Sequence, residues 1–297
     1  MRRTNLGTLR FARESRHDRL LRLPNVVGTG LGVKRRGGDV INTAALVVFV
    51  DRKLPLTDLR TSSHVPAYVE HGGQRIPTDV VEIGELRLEF GAAPYFISDL
   101  ATKGVVTAFA RTEGMFHIVS CAHCLRGEDG DPHTISPIGV WDAAQNKYVE
   151  VGQTMFAVEA PGFGLPGNFG FVDAGFAGLV HREMIDQARS APPLPIGPPP
   201  RRGLAVVGRG AGAPIEGAID AVEAVILGRR TDMLIRMTGA GSFPGHSGML
   251  WRTKSGLGVG VHTYGAQFVT GGGSRYSLAT GIRRVARQLQ VDLFDPG

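Results

Sequence analysis

Along most of this chain apolar and polar residues alternate in short runs closed by Gly, Pro, Asn or Asp, the rhythm of strands and tight turns. Helical spacing shows at the two ends. Leu9, Phe11, Leu20, Leu21 and Leu23 among arginines predict a short amphipathic helix over 9 to 23 that ends before Pro24 and docks on the body. In "GIRRVARQLQVDLF", Ile282, Val285, Ala286 and Leu289 share one helical face, expected to pack on the strands that precede it.

Between the ends the strand-like runs fall into groups. "NVVGTGLGVKRRGGDVINTAALVVFVDRKLP" reads as two runs about an "RRGGD" turn, and "IPTDVVEIGEL" as a third, so residues 1–91 are expected to form a helix and a small α/β extension. "GVVTAFA", "FHIVS", "YVEVGQTMFAV" and "FGFVDAGFAGLV" predict a first β-barrel over 92–190. The prolines of "APPLPIGPPPRRG" stiffen an extended connector over 191–203. "LAVVGRG", "EGAIDAVEAVIL", "DMLIRMT", "GMLWR", "LGVGVHTYG" and "RYSLAT" predict a second barrel over 204–297 with its terminal helix.

Composition narrows the class without changing that picture. With 297 residues, 42% of them hydrophobic, the chain can fill a real core, and 42 glycines with 18 prolines favour a mostly β protein. No apolar run is long enough for a membrane span, no secretory signal is apparent, and two cysteines make no disulfide framework, so a cytoplasmic protein is expected. The net charge of +6 is spread in pairs without interleaved aromatics, which disfavours nucleic acid as partner. "GTGLG" lacks the Lys-Ser/Thr ending of a phosphate loop and reads as a turn or strand bend.

The candidate chemistry lies in three stretches. "HIVSCAHC" carries His123 in a turn after a strand, "FGFVDAGFA" embeds Asp173 among apolar residues, and "FPGHSGML" sets Ser247 between glycines. An aspartate there needs a partner such as an imidazole N–H, and a hydroxyl on a tight glycine turn is free to be raised as a nucleophile. Other readings stay open. Cys121 and Cys124 with His123 and either His117 or His133 would suit a metal, Ser247 would serve as an ordinary turn residue, and Asp142 or Asp131 would substitute for Asp173.

In order and spacing, with gaps of 50 and 74 residues, these stretches resemble the chymotrypsin-like (trypsin-like) serine peptidases, over about residues 100 to 297. "SCAHC" is similar to that family's T-A-A-H-C, "VDAGFA" to D-I-A-L, "GHSGML" to G-D-S-G-G-P and "VGVHTYG" to V-S-W-G. "NVVGTGLGVK", "VVFVDRKLP" and "IPTDVVEIG" are similar to a segment ahead of the protease domain in intracellular bacterial and plant members.

The resemblance implies two six-stranded-type antiparallel barrels and a serine endopeptidase acting through an acyl-enzyme, with no cofactor and no metal. It implies Ser247 as nucleophile, His123 as general base and acid, Asp173 as its orienter, and the Gly245 and Ser247 amides as oxyanion donors. Thr263, Tyr264 and Gly265 would line a cleft for a peptide or protein substrate, and Gly241 would floor a pocket for small or apolar side chains. His246 stands where the family has an aspartate, so activation through a new N-terminal amine is not expected; Met249 replaces a glycine and could crowd the wall behind Ser247. These departures motivate an alternative, an impaired enzyme that keeps the fold as a binding module.

Overall fold

The computed structural model describes residues 5–37, 39–88, 96–98, 102–112, 114–126, 135–142, 146–161, 171–209, 213–239, 241–243, 245–267 and 274–297. Helix α1 (Leu6–Leu21) opens on Asn5, whose side-chain oxygen accepts the Thr8 N–H at 2.8 Å. It buries Leu9, Ala12 and Leu20, whereas Phe11, counted to the apolar face, is 63% exposed. Two arginines fasten the helix to one residue: Arg13 donates to the Glu223 carbonyl at 2.7 Å, and Arg10 Nε to both Glu223 carboxylate oxygens at 2.8 Å.

Strands β1 (Val26–Arg36) and β2 (Asp39–Val50) form a hairpin, β4 (Gln74–Glu82) runs parallel to β2, and β3 (Tyr68–His71) pairs antiparallel with β4. Beyond a left-handed Gly84 (φ 70°) lies β5 (Glu85–Leu88).

The middle of the chain supplies β6 (Phe96–Ser98), β7 (Thr102–Gly104), β8 (Ala108–Thr112), β9 (Met115–Ser120), the short α2 (Ala122–Leu125), β10 (Pro137–Asp142), β11 (Lys147–Pro161), β12 (Phe171–Leu179) and α3 (Arg182–Ser190). These strands build an eight-stranded antiparallel sheet together with the last strand of the chain, β19 (Asp292–Phe294), in the order β19-β8-β9-β12-β11-β10-β6-β7. The rest supplies β13 (Ala205–Gly208), β14 (Ile215–Ile226), β15 (Arg229–Thr238), β16 (Leu250–Thr253), β17 (Gly258–Gln267), β18 (Tyr276–Gly281), α4 (Ile282–Leu289) and β19 (Asp292–Phe294). Strands β13-β16-β17-β18-β15-β14 close on themselves through a β13–β14 pairing, making a six-stranded barrel. The fold is thus mostly β, with a closed barrel, a second sheet and a helix near each end, in line with the expected class.

The N-terminal strands join this barrel's sheet. Strand β14 is long enough to serve two neighbours on one edge: Ile215–Ala218 pair with β13, and Ala221–Ile226 with β1. Between the two halves Asp220 is an extra residue against β15, since Ile219 faces Ile235 and Ala221 faces Leu234. The phase of burial changes with it: Ile215 and Ile219 line one apolar cluster before the bulge, and Val222 lines the same cluster after it. Arg35 from β1 reaches Asp220. At Gly28 the approach of β1 is so close that a Cβ would stand 2.0 Å from the Val225 carbonyl oxygen.

Helix α4 packs on β17 and β18 of its own barrel, as expected, and on β12 of the other sheet as well. Ile282, Val285 and Leu289 enter the cluster built by Ile118, Val172 and Ala174 of the other sheet, next to Leu250 and Val261. The cause is the chain beyond it: β19 pairs with β8, Leu293 opposite Ala110, and draws the helix across the seam. The proline connector is extended and tied to both sides, Leu194 N–H donating to Leu293 O at 2.9 Å and Gly197 N–H to Gly258 O at 2.7 Å.

Candidate active site

The two halves meet through polar contacts that carry the predicted residues with them. Val105 N–H donates to Ser247 O at 2.8 Å, the Thr107 hydroxyl to Gly248 O at 2.6 Å, and the Ser120 hydroxyl to Val105 O at 2.8 Å. On the same seam the His262 carbonyl of β17 accepts both Gly248 N–H at 2.9 Å and the Cys121 thiol at 3.1 Å. The turn bearing Ser247 and the turn bearing His123 are therefore fastened to one point of β17.

His123 stands in the first turn of α2, just after β9, and is buried. Its Nδ1 lies 2.5 Å from Asp173 Oδ2, and its backbone N–H donates to Asp173 Oδ1 at 3.2 Å. Asp173 is 1% exposed on β12, so both carboxylate oxygens are spent on the His123 turn. Burial works against charge on either group, yet the pair overcomes it. The Asp173 charge and its hydrogen bond raise the imidazole well above its ordinary range, and His123 with the His123 and Ala122 amides lowers the carboxyl. Asp131 lies outside the described residues, as does His133. His117 engages the Thr112 hydroxyl at 2.6 Å through Nε2.

Ser247 is fully buried, and its hydroxyl donates to the Thr263 carbonyl of β17 at 3.4 Å. Left-handed Gly245 (φ 101°) and Gly248 (φ 90°) bracket its turn. The turn is closed by Met249 N–H to His246 O at 2.9 Å and by Phe243 N–H to the His246 ring Nδ1 at 3.0 Å. His246 thus braces the loop it belongs to. Among the described residues the Gly245 and Ser247 amides donate to no carbonyl. Met249 is buried in the barrel core, where a Cβ on Gly208 would meet its Sδ at 2.7 Å. Gly241 is buried with φ 75°, ahead of a bridge between Ser242 and Ser274.

Thr263 and Tyr264 continue β17 past Ser247. The Tyr264 ring is 5.7 Å from the His123 ring, and its hydroxyl donates to Glu159 Oε1 at 3.0 Å. Arg229 donates to the Tyr264 hydroxyl at 2.6 Å and to Glu159 at 3.0 Å, its guanidinium 4.4 Å from the ring centroid, while Arg126 holds the other Glu159 oxygen at 3.2 Å. Burial, then the Asp173 and Glu159 charges, pushes the Tyr264 phenol upward, so it stays a neutral donor. Sequence reading missed Glu159, Arg126 and Arg229. The only trace of Glu159 is a carboxylate in the strand run "FAVEAP", opposite Asp173 in register.

Cys121 Sγ, a His123 ring nitrogen and an Asp173 oxygen lie within 4.8 Å of one another, a set that could hold a metal. Such an ion would compete with the His123–Asp173 hydrogen bond and with the thiol's bond to His262.

No family model matches the chain, and no curated protein matches it. Solved structures similar to it include a glutamic acid specific serine protease described as using a novel histidine triad in substrate binding, at 14% identity and TM-score 0.46, covering 68% of this chain and 98% of that one. Protease A of Thermobifida fusca is similar at 15% identity and TM-score 0.44, over 70% of this chain and 98% of that one. A chymotrypsin of Cellulomonas bogoriensis is similar at 17% identity and TM-score 0.41, over 69% of this chain and 98% of that one.

Proposed function

We propose that the chain is a chymotrypsin-like serine endopeptidase. The observation that carries this reading is the buried Asp173 carboxylate, committed by both oxygens to the His123 ring and amide on the seam where Ser247 meets β17. A carboxylate at Nδ1 selects the tautomer with its proton there and leaves Nε2 as the base. His123 takes the Ser247 proton as the oxygen attacks a peptide carbonyl and returns it to the leaving amine; a water then repeats the sequence on the acyl-enzyme. The Gly245 and Ser247 amides, aimed at no carbonyl among the described residues, receive the oxyanion. Gly241 floors the pocket beside them, and Thr263, Tyr264 and Gly265 pair with an extended substrate. No metal or cofactor enters these steps. Cys121 and Cys124 are not joined in a disulfide, which accords with the reducing, cytoplasmic setting of this proposal. No helix among the described residues is long and apolar enough to cross a membrane.

One observation favours a second reading, a binding module without turnover: Ser247 is fully buried and its hydroxyl points at the Thr263 carbonyl. A fluorophosphonate probe separates the two. Covalent labelling of the wild type, lost in Ser247→Ala and reduced ~10⁴-fold in rate in His123→Ala, supports the peptidase; an unlabelled wild type across pH supports the binding module.

A further inference from the structure

The edge of β17 that leads outward from the proposed site already has an occupant. One edge is committed to β18 along its length, Gly260 opposite Gly281 through Ala266 opposite Tyr276. On the other edge β16 covers only Gly258 to Val261. Beyond that point, where Ser247 and His123 abut Thr263 and Tyr264, the edge would be open to an extended peptide. Instead β5 lies on it in antiparallel pairing, Leu88 opposite Tyr264, Arg87 opposite Gly265, Leu86 opposite Ala266 and Glu85 opposite Gln267.

The direction of β5 matters. Its C-terminal end lies at Tyr264, toward Ser247, and its N-terminal end lies at Gln267, away from it. A substrate's residues on the acyl side of the cleaved bond must run the same way, with the chain heading for the nucleophile. Strand β5 thus has the polarity of a bound substrate.

On its N-terminal side β5 is moored to the sheet it leaves. Ile83 N–H donates to Val50 O at 3.0 Å and Gly84 N–H to Asp51 O at 3.2 Å, so the chain leaves the N-terminal sheet firmly held. Buried Ile83 shares an apolar cluster with Tyr264, Ala266, Val47 and Phe49. From there the left-handed Gly84 swings the chain onto β17 for four residues. A four-residue strand on an edge contributes little on its own; its advantage is the high effective concentration given by the tether.

Resting on the peptidase reading, we infer that β5 is a built-in substitute for the acyl side of a substrate, and that an extended peptide binds by strand exchange, displacing Glu85–Leu88 from Tyr264–Gln267. An extended chain that offers several successive backbone pairs can accordingly take the place of β5, whereas a single-residue substrate, which needs none of that edge, is obstructed by β5 only weakly.

The test uses Leu86→Pro and Arg87→Pro in the full chain. In an antiparallel ladder alternate residues exchange their bonds with the partner, so one of these neighbours removes an N–H from the β17 pairing. In that variant kcat/KM toward a tetra-alanine anilide should rise tenfold or more, chiefly through KM, while alanine ethyl ester turnover and fluorophosphonate labelling stay within twofold. Unchanged or lower anilide turnover in both variants, with labelling retained, would overturn the inference and leave the peptidase intact. A second measurement stands independently of turnover. In a Ser247→Ala background, amide exchange at Gly265–Gln267 should quicken in the proline variant and slow again with the tetra-alanine probe; exchange that ignores β5 and probe alike would overturn strand exchange even if no form were ever labelled.

Discussion

The His123 imidazole is held between opposing influences: burial disfavours its charge, and the Asp173 carboxylate at 2.5 Å favours it strongly enough to win. A base must be neutral to act, so kcat/KM should climb with pH and reach half-maximum above the ordinary imidazole value of 6.5. Asp173→Asn should bring that midpoint down and cost ~10⁴-fold in kcat, as seen in pH–rate profiles of both proteins. The stability the pair contributes has a window of its own. The imidazole's share is full below 6.5 and fades as pH rises through the raised value; the carboxyl's share is full above 3.8 and fades as pH falls through the lowered one. The need of Asp173 for an imidazole partner was legible because a carboxylate in an apolar strand cannot stay unpaired, whereas His123 was singled out by the order of the motifs and the resemblance. The brace on Tyr264 was not legible, since Glu159 and Arg229 lie 105 and 35 residues from it and fall just outside the runs read as strands.

Elements place these groups by backbone contact more than by side-chain reach. Gly248 shows this: a Cβ would lie 2.2 Å from Val105 O and 2.4 Å from Ser120 Oγ, at a φ of 90° that side chains avoid. Gly248→Ala should therefore destabilise by about 2 kcal/mol or more in urea unfolding and also slow fluorophosphonate labelling, because the same turn carries Ser247. The strands themselves were readable from alternation and turn residues. Which strand neighbours which was not, because pairing depends on partners remote in sequence. Strand β5 is the clearest case: the third run was read as one stretch, "IPTDVVEIGEL", and only the fold reveals a separate strand Glu85–Leu88 with β17 as its neighbour.

At the scale of the molecule, the N-terminal strands β1–β5 and the barrel share one sheet rather than meeting as two surfaces. Gly28→Val would force β1 away from the Val225 carbonyl and with it the anchor of α1 at Glu223. We expect earlier tryptic cutting within residues 5–37 while the barrel core stays resistant, which limited proteolysis with mass analysis would show. The expected α/β extension was legible as elements but not as a graft onto β14, since a length of 12 residues says nothing of two neighbours along one edge.

The extra residue at Asp220 has a consequence for how this gene can vary. It acts as a phase corrector between two stretches that obey opposite parity. Deleting Asp220 alone would rotate everything from Ala221 to Ile226 half a turn about the strand axis, turning Val222 out of its cluster and stripping Arg35 of its counter-charge. Such a deletion should give insoluble protein on expression, whereas Asp220→Asn, which keeps the count, should yield soluble material; a single codon is worth more here than the side chain it encodes.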